Sequence, residues 1–132
     1  MKAVFADSYY FIALISKEDE DHDRVLTVAK TLRAPMVTTE FVLLEVADAL
    51  ATERWRTGIR SFVDLIRSLP SVEVVPVSTA LLDAGLALYA DRSDKEWSLT
   101  DCISFEVMRQ KQIHEALTHD HHFRQAGFRA LL

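Results

Sequence analysis

Short apolar runs alternate along this chain with longer stretches whose apolar residues recur at helical spacing. Val4-Phe5-Ala6 stops at Asp7 and gives way to a helix-like stretch from Tyr9 to Ile15. Val25, Val28, Ala29 and Leu32 mark a second helix that ends before Pro35, and "MVTT" follows as a second strand. Thr38 or Thr39 suits an N-cap, so a helix is expected from about Phe41 to Arg54. Gly58 is expected to break the pattern before another helix, Ile59 to Leu69, which Pro70 stops. "VEVVPV" reads as a strand, "STALLDAGLALYADR" and "SLTDCISFEVMRQKQ" as helices, and "EALT" as a strand. "HHFRQAGF" reads as a short helix whose Gly127 suits a C-cap, and "FRALL" as a last strand. Strands alternating with helices predict an α/β/α sandwich around a mostly parallel central sheet. With no repeats, low-complexity tract or linker, residues 1–132 read as one domain.

Length and composition exclude several classes. A chain of 132 residues, 49% hydrophobic, can bury a substantial core. The lone cysteine, Cys102, rules out an internal disulfide and a cysteine-based zinc cage, and makes a reducing cytoplasm the expected location. The first twenty residues read as strand and helix rather than a signal peptide. No run of apolar residues is long enough for a membrane span. A net charge of −5 argues against nucleic-acid binding through a broad basic face. Four carboxylates facing two divalent cations would reduce that balance to about −1, so the placement of the acids matters more than the sum.

Ligands of open α/β sheets bind beyond the carboxyl ends of the strands, and acids fall at such places here. Asp7 follows the first strand directly. Glu45 lies in the helix after the second, Asp101 begins the helix that feeds the "EALT" strand, and Asp120 comes just past that strand. If these elements share one sheet, the four carboxylates can converge. Crowded carboxylates repel and their pKa values rise, a penalty that a divalent cation removes. Mg²⁺ prefers oxygen ligands, and two such ions can stabilise both oxygens of a phosphodiester cleavage and generate the attacking hydroxide.

Each acid also has a simpler reading. Asp7 could be a helix N-cap, and Ser98-x-x-Asp101 fits a capping box. Glu45 and its neighbour Asp48 could be a solvated helix face. Asp94 reads as a turn residue, and "EDEDHD" at 18–23 as a solvated loop lacking the glycine of a calcium site. His119, His121 and His122 are too closely spaced for a tetrahedral zinc site on one regular element, and no cysteine assists. Arg56, Arg60 and Arg67, with Arg54 nearby, fall roughly on one helical face and could contact phosphates. Trp55 and Trp97 suit packing better than base stacking.

"VFADSYYFIAL", "TTEFVLLEVADAL", "WSLTDCISFEVM" and "ALTHDHHFRQAGF" together resemble the PIN-domain ribonucleases, most of all the toxins of VapBC-type toxin–antitoxin modules. The resemblance runs from Asp7 to Phe128. It implies that Asp7, Glu45, Asp101 and Asp120 are catalytic, metal-binding acids, with Ser8, Thr100 and Thr118 as the hydroxyls beside them. It implies an Mg²⁺- or Mn²⁺-dependent endoribonuclease acting on RNA and held inactive by a small antitoxin protein. The alternative is a PIN-fold RNA- or protein-binding module with a dead site, against which the full set of acids speaks. Other acid-site classes lack a required part: there is no D-x-D after the first strand, no receiver-type acid pair and no G-x-x-x-x-G-K loop. The helices Phe41–Arg54 and Ile59–Leu69 are expected to form a groove for an antitoxin helix or the face of a homodimer.

Overall fold

The computed structural model describes residues 1–132. Five strands form one all-parallel sheet: β1 (Val4–Ala6), β2 (Met36–Thr39), β3 (Val72–Val75), β4 (Glu115–Leu117) and β5 (Arg129–Ala130). Seven helices flank it as an α/β/α sandwich: α1 (Ser8–Ile15), α2 (His22–Thr31), α3 (Glu40–Ala49), α4 (Glu53–Ser68), α5 (Thr79–Asp91), α6 (Leu99–Gln110) and α7 (His121–Gln125). The strand order is β3-β2-β1-β4-β5. The chain therefore builds outward from β1 in one direction through β2 and β3, then crosses to β4 on the other side. That reversal opens a crevice at the carboxyl ends of β1 and β4, where open parallel sheets bind ligands.

β1 is wholly buried, as a central strand covered on both faces must be. Phe5, Phe11, Phe105 and Phe123 are fully enclosed, and Phe105 meets Trp97 and Phe123 edge-on at 5.1 and 4.9 Å. Trp97 is thus a core residue, and its indole N–H donates to Gln125 Oε1 at 2.9 Å. Helices α5 and α6 pack closely at Gly85, where a Cβ would lie 2.3 Å from Ile103 Cγ1.

Two helix boundaries differ from expectation. The helix expected to reach Arg54 stops at Ala49, and α4 starts at Glu53. Gly58 lies inside α4 rather than breaking it. The apolar residues Trp55, Ile59, Phe62 and Ile66 form a seam that continues across position 58, and packing of that seam outweighs the roughly 1 kcal/mol propensity cost of one glycine. At the start of α3 the two threonines divide the work. Thr39 caps the helix, accepting from the Val42 N–H at 3.0 Å, while Thr38 turns inward and donates to the Ala6 carbonyl at 2.9 Å. Gly127 (φ +95°) follows α7 as expected. The Gly127 and Phe128 N–H groups donate back to Arg124 and Phe123, closing the helix in a Schellman motif.

Candidate functional site

The crevice at the carboxyl ends of β1 and β4 is a cavity of about 590 Å³ lined by Asp7, Glu45, Asp101 and Asp120 together. Glu96, which sequence patterns did not single out, joins them. No lysine or arginine lines the cavity. Asp48, the rival to Glu45, is exposed and outside it. Asp94 is also outside, bound by the Arg92 guanidinium at 2.9 and 3.0 Å.

The four acids are held differently. Asp7 stands at the N-cap position of α1 but makes no cap bond with its side chain. Its Oδ2 instead accepts from the Thr118 hydroxyl at 2.9 Å, a bond across the β1–β4 crevice. Glu45 projects from α3 and accepts from the Ser8 hydroxyl. Asp101 does close a capping box: its own N–H donates to Ser98 Oγ at 3.0 Å, and its Oδ2 accepts from the Ser98 N–H at 3.2 Å. Asp120 caps α7 by accepting from the His122 N–H at 2.9 Å, and its own N–H donates to Thr118 Oγ1 at 3.0 Å. Thr118 therefore ties Asp7 and Asp120 to one strand end.

Burial dominates the electrostatics. Asp7 is only 4% exposed, and its carboxyl is pushed up to about 7; the Thr118 hydroxyl opposes the rise, and the Asp101 and Glu45 charges add to it. Glu45 and Asp101 are also raised, each by burial first. Ser8 and Thr100 oppose the rise at Glu45, and the Asp120 charge adds to it at both. Four crowded carboxylates, three of them raised by burial, with no lysine or arginine beside them, fit a hard divalent cation such as Mg²⁺ or Mn²⁺.

The histidines divide. His119 stacks on Tyr9 with ring centroids 5.8 Å apart, and its Nδ1 lies 3.2 Å from the Leu132 carbonyl. Tyr9 donates in turn to Asp21, which gives the acidic loop a structural role. His121 and His122 face Asp120 instead, so residues that looked too closely spaced along the chain do converge once α7 begins. The α4 arginines line no part of the cavity; Arg54, Arg60 and Arg67 pair with Glu18, Asp64 and Glu40 at the surface.

A second concavity, about 480 Å³, is apolar at thirteen of its fourteen lining residues. It is formed by α1, α2, α4 and the neighbouring ends of β2 and β3, with Phe11, Leu14, Phe62 and Ile66 among its walls. The expected pairing of the Phe41–Arg54 and Ile59–Leu69 helices is half met: α4 contributes and α3 does not. The inner face of α3 packs against α1 and α6, which removes it from the groove.

A model of the PIN domain matches residues 4–129. The chain is similar to VapC20 of Mycobacterium tuberculosis, a sarcin–ricin-loop-cleaving toxin, at 25% sequence identity and a TM-score of 0.86 over 95% of each chain. It shares a fold with FitAcB from Neisseria gonorrhoeae at 15% identity and a TM-score of 0.68, covering 96% of this chain and 94% of that one. No curated protein sequence matches it. The parallel sheet, the crevice acids and a family model spanning nearly the whole length agree: the chain belongs to the PIN-domain family.

Proposed function

We propose that residues 1–132 act as a single PIN domain with Mg²⁺- or Mn²⁺-dependent endoribonuclease activity, the toxin of a toxin–antitoxin pair. One observation carries this reading: four carboxylates from distant parts of the chain line a single cavity without a lysine or arginine. Asp7, Glu45, Asp101 and Asp120 would hold the ion. Bound there, Mg²⁺ or Mn²⁺ supplies a Lewis acid for phosphodiester oxygens and makes water a nucleophile at neutral pH. The chain's own hydroxyls do the positioning. Thr118 orients Asp7, Ser8 orients Glu45, and Ser98 fixes Asp101 at the start of α6. Asp101 thereby serves as helix cap and ligand with the same carboxylate.

The apolar groove suits an amphipathic helix of an antitoxin, with anchors at helical spacing. A second exposed stripe on α5, Leu82, Leu86 and Tyr89, lies at i, i+4 and i+7 and supports a homodimer face. The buried thiol of Cys102 suits a reducing cytoplasm. The alternative, a PIN-fold binding module without catalysis, is disfavoured by acids kept buried at a cost to stability.

Incubation of the chain with total RNA and with a sarcin–ricin-loop oligonucleotide tests the reading. Cleavage is expected in Mg²⁺ or Mn²⁺, and none in excess EDTA or with Asp7→Asn. Cleavage that survives EDTA would refute the metal mechanism; binding without cleavage in any metal would favour the dead-site module.

A further inference from the structure

We propose that Asp101, Asp120, His121 and His122 form a Zn²⁺-class transition-ion site, a mixed nitrogen–oxygen corner of the cavity distinct in chemistry from its all-oxygen side. His122 Nδ1 lies 3.2 Å from Asp101 Oδ2 and 3.3 Å from Asp120 Oδ1, and His121 Nδ1 lies 3.7 Å from that same Asp120 oxygen. One ligand atom each from Asp120, His121 and His122 falls within 4.8 Å of the others. An ion bound tetrahedrally at about 2.0–2.1 Å separates its ligand atoms by roughly 3.3 Å, so three edges of the tetrahedron are nearly in place.

Most of these ligands are already fixed. The Ser98 N–H holds Asp101, the His122 N–H holds Asp120, and His122 is half-buried. His121 is exposed and free to turn, while Asp101 meets the other three through His122. Imidazole nitrogen shifts preference away from Mg²⁺ and towards Zn²⁺, Ni²⁺ or Cu²⁺. Asp7 and Glu45 are not among the ligands of this corner, whereas the all-oxygen side requires them. Asp101 and Asp120 belong to both. The competing explanation is an imidazole hydrogen-bonded between two carboxylates with no affinity for an ion.

Calorimetric titration of the intact chain with ZnCl₂ and separately with MgCl₂ distinguishes these, using His121→Ala, His122→Gln and Asp7→Asn. We expect one Zn²⁺ per chain, weakened at least about tenfold by each histidine substitution and changed less than about threefold by Asp7→Asn. Mg²⁺ binding should show the reverse pattern, lost in Asp7→Asn and kept in His121→Ala. Co²⁺ should give the intense visible absorption of tetrahedral coordination with the unsubstituted chain and not with His122→Gln. Absence of Zn²⁺ binding, or Zn²⁺ binding that Asp7→Asn abolishes and both histidine variants retain, overturns the proposal. These readings measure binding directly, so they stand whether or not the chain cleaves RNA.

Discussion

The acidic cavity and the apolar groove share a helix and differ in almost everything else. Ser8, Tyr9 and Ile12 of α1 face the acidic cavity, whereas Tyr10, Phe11, Leu14 and Ile15 face the apolar groove. In the cavity, two of twelve lining residues are apolar and the acids are crowded against their own charge; in the groove, thirteen of fourteen are apolar. The first buries carboxylates whose repulsion a bound cation would relieve. The second leaves hydrophobic area exposed that a partner can cover. One helix of eight residues, α1, thus divides a polar, acidic cavity from an apolar groove.

Substitution at Asp7 should separate the cavity from the groove with the largest effect. If the proposed metal mechanism holds, Asp7→Asn is expected to lower RNA cleavage by about 1,000-fold or more, because it would remove a ligand of the ion. Partner binding to the groove should be unchanged by it, which a pull-down with the product of the neighbouring reading frame would check.

The pH dependence of the metal-free chain isolates the cost of the cavity. The Asp7 carboxyl is raised to about 7 when folded, against about 3.9 unfolded. Between those values the folded chain holds a proton that the unfolded chain has lost, so stability falls as pH rises from about 4 to about 7 and then levels off. The loss is at most about 4 kcal/mol from this group, and Glu45 and Asp101, also raised, act in the same direction. Urea unfolding in EDTA at pH 5 and pH 8 measures it, and Asp7→Asn should flatten the slope. A metal-free chain more stable at pH 8 than at pH 5 would contradict the account.

Leu65, on α4 and 55% exposed, tests the groove without touching the cavity. Leu65→Lys should weaken a helical partner by about 2 kcal/mol, roughly 30-fold, while RNA cleavage and melting temperature stay near those of the parent. Equal partner affinity, read by calorimetry, would place the partner elsewhere.

The smallest expected effect sharpens the cavity's internal design. Thr118→Val removes the hydroxyl that donates to Asp7, at a cost of about 1 kcal/mol, and should move the pH at which metal-free stability levels off upwards. An unchanged pH profile would mean that Thr118 does not orient Asp7.

What could be read from the sequence was whatever a single element decides. The short strands at Val4–Ala6 and Met36–Thr39 are bounded by local signals, and Gly127 closes α7 through a backbone conformation that only glycine adopts easily. The helix break lies before Glu53 and not at Gly58, because the local glycine signal competes with an apolar seam that only packing reveals. The convergence of Asp7 with Asp120 depends on β1 lying beside β4, more than a hundred residues on, so it followed from the expected topology and the family resemblance rather than from spacing. Glu96 carries no sequence signal because it sits in the connection before α6, with no periodicity to mark its direction. Spacing rules for regular elements exclude a metal site at His121 and His122. Their shared approach to Asp120 arises where α7 begins, a boundary those rules do not describe.

Metal binding by the crevice acids is tested most directly by the melting temperature of the unsubstituted chain and of Asp7→Asn as Mg²⁺ is added from an EDTA baseline. Binding to the folded state alone, at a hundred times the dissociation constant, adds about 2.7 kcal/mol and should raise the melting temperature by roughly 8 °C. The account expects that rise in the unsubstituted chain and none in Asp7→Asn. No rise in the former, or the same rise in both, would contradict it.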